Sequence, residues 1–272
     1  MTALPETNTL DLALEGGWLT IWLNVPDKQN ALTNEMQADL RRVFAEIRDE
    51  RSVRGITLRG RGGVFCSGGD LKQFKAELQT PEARDSVVAM SRDAAALFDA
   101  VNTAPQVVIA LIEGAAMAGG FGLACCADTV ICAEDAKFSL TETMIGLTPA
   151  QIAPFIIQKM GYATARRLML TAARFKGAEA KKFGFADFVG ADINALETAE
   201  QNIKRQVLKC APGAVADIKA LILETNGLER DALVKAAAEN FADRMVSDEA
   251  RAGIQSFFDK TPPPWVSVSE TK

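Results

Sequence analysis

Between Ile56 and Cys132 the chain passes twice from a short apolar run into a helical stretch and back, and that alternation leaves few folds open. Ile56-Thr57-Leu58 reads as a short buried strand, closed by the loop Gly60-Arg61-Gly62-Gly63. A helix around 85–101 leads to the strand Val107–Ile112, a glycine-rich turn over Gly114–Gly122, a helix of small residues and the strand Thr129–Cys132. Successive strands separated by helices pair in parallel, which implies an α/β core.

Either side of this stretch the pattern changes. Residues 10–24 alternate about Gly16-Gly17 and read as a β-hairpin. Thr33 or Asn34 can cap a helix whose apolar face is Met36, Leu40, Val43, Phe44 and Ile47. From about 149 the pattern is helical, with Pro149 suited to a first turn and Gly161 to a C-terminal end. Helices are expected near 162–171, 177–183, 194–210, 213–225, 229–245 and 248–259, the last capped by Ser247 and stopped by Pro262–Pro264. The expected organisation is a core over 1–199 and a helical region over 200–272. Apolar residues make up 48% of the 272, enough for a sizeable core.

The chain has no histidine, which removes Ser-His-Asp and Cys-His hydrolysis and His-based zinc sites. No metal site is expected. Acid–base chemistry falls to Asp, Glu, Lys, Cys or Tyr162. The five cysteines, Cys66, Cys125, Cys126, Cys132 and Cys210, read as reduced structural thiols. A net charge of −5 gives no sign of a nucleic-acid partner. Apolar stretches of about ten residues are too short to span a membrane. MTALPETNTL lacks the features of a signal peptide, so a cytoplasmic location is expected.

Three segments carry the chemistry. Phe65-Cys66-Ser67-Gly68-Gly69-Asp70-Leu71-Lys72 follows a strand and precedes a polar, helical stretch. Gly114–Ala124 joins a strand to a helix. Glycine lets the backbone approach a ligand with its N–H groups free, and a helix start adds unpaired donors. Two such turns aimed at one point would make an oxyanion hole; either turn alone fits tight packing as well. Neither matches the common nucleotide-binding glycine patterns. The third segment is Phe138-Ser139-Leu140-Thr141-Glu142-Thr143, whose glutamate, taken alone, reads as a surface group.

In this order and spacing, these segments, with Asn24-x-Pro26, Asn30-Ala31-Leu32, Asp128 and the helix Gly253–Lys260, resemble the crotonase superfamily over nearly the whole chain. The resemblance implies a crotonase-like spiral of ββα repeats followed by a helical trimerisation region, with a homotrimer or a hexamer of two stacked trimers. It implies an acyl-CoA substrate and no cofactor, coenzyme A being the thioester part of that substrate. The catalytic residues carried over are Glu142 as acid/base and the backbone N–H groups of Gly69 and Gly119 as oxyanion donors. Substrate contacts are expected from Lys28, Asn30, Ala31, Ser67, Gly68, Asp70, Leu71, Lys72, Gly120 and Gly122. Phe257 and Lys260 match positions that reach a neighbouring subunit's CoA.

One position departs from the pattern. Where two-glutamate hydratases carry their first carboxylate, this chain has Gly122, and neither Phe121 nor Leu123 can transfer a proton. Two activities fit one glutamate: hydration of an enoyl-CoA and Δ3–Δ2 isomerisation. Residues 121–125, 145–155 and 170–175 look most like the hydratases of 3-substituted glutaconyl-CoA thioesters, isohexenylglutaconyl-CoA hydratases of terpene degradation first and methylglutaconyl-CoA hydratases next. Glycine at 122 is expected to leave room for a bulky 3-substituent, and the substrate's own carboxylate could hold the water. A non-catalytic acyl-CoA-binding or scaffold protein is the alternative from a different class.

Overall fold

A computed structural model of the chain describes residues 4–79, 81–225 and 227–266. The hairpin is β1 (Leu10–Glu15) and β2 (Trp18–Leu23), turned by Gly16 and Gly17, both at positive φ. Helix α1 (Asn34–Ile47) follows, and its expected face of Met36, Leu40, Val43, Phe44 and Ile47 is buried. Burial of each such side chain contributes roughly 1.5–3 kcal/mol. Thr33 caps it, its hydroxyl accepting the Met36 N–H at 3.2 Å. Then come β3 (Gly55–Gly60), α2 (Leu71–Glu77), α3 (Ala83–Asn102), β4 (Val107–Ile112), β5 (Ala115–Met117), α4 (Gly119–Cys125), β6 (Thr129–Ala133) and β7 (Lys137–Ser139). The chain continues through α5 (Ala153–Met160), α6 (Tyr162–Thr171), β8 (Phe175–Lys176), α7 (Gly177–Ala180), β9 (Phe188–Gly190) and α8 (Ile193–Leu208). It ends in α9 (Pro212–Glu224), α10 (Arg230–Met245) and α11 (Asp248–Asp259).

The larger sheet runs β1-β2-β3-β4-β6-β9, antiparallel only between β1 and β2. A smaller sheet, β5-β7-β8, forms a second layer. Parallel bridges between Leu32 and Gly69 and between Cys66 and Ala116 extend that layer backwards. Each turn of the spiral thus lays one strand in the large sheet and one short segment in the small layer: β2 then Leu32, β3 then Cys66–Gly69, β4 then β5, β6 then β7. The turns are fastened by a repeated clasp. The Val108 N–H donates to Asp128 Oδ2 at 2.7 Å and the Asp128 N–H donates to the Val108 carbonyl at 2.9 Å. One turn later, Val130 and Asp187 exchange the same pair of bonds at 2.8 and 2.9 Å.

Phe121, Phe138, Phe175 and Phe185 fill the space beneath α4, with Phe121 stacked on Phe185 at 4.4 Å between centroids. Helix α8 runs unbroken through the expected boundary at 199/200. Its buried Glu200 accepts the Thr57 hydroxyl at 2.6 Å and pairs with Lys204 at 2.7 Å, which ties the helix to β3. Helices α9 to α11 form the helical region, where Arg244 pairs with Asp217 at 2.9 Å and Glu249 at 3.3 Å. Among the described residues no helix is long and apolar enough to cross a membrane.

The expected helices over 177–183 and from Pro149 are corrected. The first is the single turn Gly177–Ala180. The second begins at Ala153 with Pro154 in its first turn, because the Pro149 carbonyl accepts the Ala153 N–H in a separate turn.

Candidate active site

The small layer positions the site. The Cys66 N–H and Met117 N–H bind β5 and the Cys66 segment to one another, through the Ala115 carbonyl at 3.1 Å and the Cys66 carbonyl at 2.9 Å. The Leu32 N–H donates to the Gly68 carbonyl at 2.8 Å. Gly68 has φ +96°, and a Cβ there would lie 2.8 Å from Ala118 Cβ and 2.9 Å from the Met117 carbonyl oxygen. Only glycine allows the two turns to meet this closely. The carboxylate of Asp70 then caps α2, accepting the N–H groups of Lys72 at 2.9 Å and Gln73 at 3.4 Å.

In the second turn, Ala118 sits at φ +49°, ψ −125°, a strained backbone for alanine. Its N–H donates to the Ser139 carbonyl at 2.9 Å, and the next N–H, that of Gly119, opens α4 with no partner in the helix. A Cβ on Gly119 would lie 3.8 Å from the Gly69 nitrogen and 3.8 Å from Gly68 Cα. Among the described residues neither the Gly69 nor the Gly119 N–H donates to a protein acceptor. Two free donors therefore stand side by side, the arrangement an oxyanion requires.

Glu142 opens a 3₁₀ turn, Glu142–Ile145, three residues beyond Ser139. Since Ser139 pairs with Met117 in the β5–β7 ladder, the glutamate leaves the layer beside the start of α4. Its Oε2 is buried with no hydrogen-bond partner among the described residues. Desolvation pushes its carboxyl above the usual carboxylate range, opposed in part by a bond from its own backbone N–H.

Other expected contacts are distributed differently. Asn30 is fully buried: its Oδ1 accepts the Val25 N–H at 2.9 Å, and its Nδ2 donates to the carbonyls of Arg61 at 2.9 Å and Val64 at 2.7 Å. Its side-chain amide is used within the loop. Gly120 faces the protein too, since a Cβ there would meet the Cys66 carbonyl at 2.4 Å. Ala31 is buried beside Asn30, Ser67 is half-buried, and Leu71, Lys28 and Lys72 are exposed around the mouth of the turns. Phe257 lies exposed on α11 and Lys260 lies exposed at its C-terminal cap, in the helical region. Cys66 and Cys132 have thiols pushed up to about 12 by burial, and burial likewise raises Cys125 and Cys126.

The expected room at Gly122 is not open. A Cβ on Gly122 would lie 2.1 Å from Ile152 Cγ2 and 2.5 Å from Ile152 Cβ. Ile152, which the sequence pattern did not single out, fills that place and is itself buried. Leu32, 3.4 Å from the position of a Gly119 Cβ, and Phe74, whose ring covers Gly69, complete the walls.

Comparison with known proteins bears on the family and the fold. Residues 14–268 match the family model described as enoyl-CoA hydratase/isomerase. Among solved structures, Pseudomonas aeruginosa AtuE superposes with a TM-score of 0.90 at 43% identity, covering 96% of this chain and 100% of that one. An enoyl-CoA hydratase/isomerase from Marinobacter aquaeolei gives a TM-score of 0.91 at 37% identity, covering 95% and 99%. The enoyl-CoA hydratase AFT6-1 of Alternaria alternata is 33% identical over 221 residues, 81% of this chain and 72% of that protein.

Proposed function

The chain belongs to the enoyl-CoA hydratase/isomerase family, and from that premise we propose that it hydrates an α,β-unsaturated acyl-CoA, its substrate a 3-branched glutaconyl-CoA. The observations that carry this reading are the two free N–H groups of Gly69 and Gly119 and the half-buried Glu142, whose buried Oε2 has no partner among the described residues and which follows the strand paired with the one that leads into α4. The thioester oxygen sits between the two donors. As water adds at carbon 3, charge moves to that oxygen and the fixed N–H groups stabilise it without reorganising. One such donor is worth roughly 3–4 kcal/mol in hydrolases. Glu142 takes one proton from the attacking water and returns it to carbon 2, so that OH and H of a single water end on adjacent carbons. Its raised pKa brings it nearer to neutrality, where a group serves best as both base and acid.

A glutaconyl substrate brings a carboxylate of its own beside the double bond, able to hold the water that a second protein carboxylate would hold. Lys28 and Lys72 at the mouth suit the phosphates of CoA, and no cofactor beyond that CoA is required. Phe257 and Lys260 contact the CoA of a neighbouring subunit. In a single chain, α9 to α11 expose Ile222 at 59%, Phe241 at 70%, Phe257 at 80% and Phe258 at 74%, an apolar surface that association into a homotrimer or a hexamer would cover.

Absorbance at the enoyl thioester band tests the reading, with crotonyl-CoA and 3-methylglutaconyl-CoA side by side. Loss of the band with the glutaconyl substrate, abolished in Glu142→Gln, supports it. Crotonyl-CoA hydrated as efficiently as the glutaconyl thioester refutes the role of the substrate carboxylate. A second reading, Δ3–Δ2 enoyl-CoA isomerisation, is favoured by the single carboxylate, since shifting a proton between carbons 2 and 4 needs only one group. It takes over if neither thioester loses its band and a 3-enoyl-CoA gains one.

A further inference from the structure

The strap of chain that begins with Glu142 ends, ten residues later, at Ile152, and that far end lies against α4. Its far end is held firmly. The Gln151 amide donates to Ser91 Oγ on α3 at 2.9 Å, the Ala153 N–H donates to the Pro149 carbonyl at 2.9 Å, and the Ile156 N–H donates to the Ile152 carbonyl at 3.1 Å. Phe155 meets Phe98 of α3 with ring centroids 6.2 Å apart. Ile152 is 3% exposed, and its branched Cβ leaves few rotamers. Its side chain therefore cannot swing aside to admit another group. A single carbon added to Gly122 would lie 2.1 Å from it, closer than any real contact.

We propose that Ile152 is a specificity-determining residue of this site: it occupies the place of any side chain at position 122 and so fixes a one-carboxylate site with a hydrocarbon wall one helical turn past the Gly119 donor. This rests on the single-glutamate reading above. The glycine and the isoleucine form a matched pair, and a second acid cannot be introduced by changing position 122 alone. A substrate lacking its own carboxylate consequently finds no partner for the incoming water on that side.

The test is a double-mutant cycle of Gly122→Glu and Ile152→Ala, read by thermal unfolding and by hydration of crotonyl-CoA. Gly122→Glu alone should lower the Tm by about 5 °C or more through overpacking, with no gain in crotonyl-CoA hydration. The double variant should recover stability relative to that single variant. It should also raise kcat/KM for crotonyl-CoA about 100-fold over wild type, the usual contribution of an added acid/base group. If Gly122→Glu alone is as stable and as active on crotonyl-CoA as the double variant, Ile152 has no such role. Should neither glutamate variant fold, Gly122→Ala with and without Ile152→Ala decides: rescue of the alanine variant supports the pairing, and simply additive losses overturn it. The two readings fail separately. Wild type inert on both thioesters, with crotonyl-CoA hydration gained by the double variant, removes the substrate assignment and keeps Ile152. Wild type active on 3-methylglutaconyl-CoA, with no rescue in the cycle, does the reverse.

Discussion

Glu142→Gln should make the protein more stable as well as inactive, and the gain should depend on pH. In the folded chain the Glu142 carboxyl is desolvated and its Oε2 has no partner among the described residues, so the folded pKa stands above the unfolded one. The unfolded chain releases this proton first as pH rises. Stability from the protonated group is therefore complete below the unfolded pKa and is lost as pH climbs through the folded value. Each pH unit between the two values is worth at most about 1.4 kcal/mol, reduced by solvent screening because Glu142 is only half-buried, and 1 kcal/mol moves the Tm of a chain this long by roughly 2–4 °C. Gln copies the shape of the protonated acid and never ionises. The Tm of the variant should match wild type near pH 4 and exceed it near pH 8. Enoyl-CoA turnover should fall about 10²–10⁴-fold, the usual contribution of a general acid/base. Thermal unfolding by circular dichroism from pH 4 to 9, with the turnover assay on the same samples, checks both. A Tm difference that is flat with pH, or that favours wild type at pH 8, would refute the claim that this carboxylate is held desolvated.

Two further outcomes follow from packing. Gly120→Ala places a methyl 2.4 Å from the Cys66 carbonyl oxygen, which accepts the Met117 N–H, so the β5 contact must open. The Tm should drop by the equivalent of about 1–3 kcal/mol, with kcat falling alongside as the two donors separate. Thiol titration of the native protein near pH 7 should find one fast-reacting cysteine per chain, the exposed Cys210, and the four buried thiols should react only on unfolding. Fast reaction of Cys66 would contradict the burial that pushes its thiol up to about 12.

The sequence pattern reveals the elements with a period and hides those without one. Helix α1 and the C-terminal helices follow from spaced apolar residues and caps such as Thr33 and Ser247, whose hydroxyls do accept the N–H groups three residues on. Strands β5, β7, β8 and β9 are two or three residues long, too short for an alternation to show, and with them the second layer goes unread. The glycine turns and Glu142 are visible as motifs, but not that Gly119 and Gly69 come close together, nor that the glutamate's buried Oε2 lacks a partner among the described residues. Asn30 is expected to contact the ligand through the resemblance, as part of the segment from Lys28 to Ala31. Only the three-dimensional path shows its amide fully used by Val25, Arg61 and Val64. The glycine at 122 reads as open space for the same reason: its occupant, Ile152, lies thirty residues away in the chain.

The short β5–β7 ladder has a consequence for how this chain tolerates change. Gly119 stands two residues past Met117, and Glu142 stands three past Ser139, and those two residues are partners in the ladder. Donor and acid are thus indexed from a common rung. An insertion between Lys137 and Glu142 would change that count and shift the carboxyl relative to the Gly119 donor. Lengthening the loop between α2 and α3 would leave that count untouched. Homologous chains should vary freely in the length of the second segment and hold the first invariant.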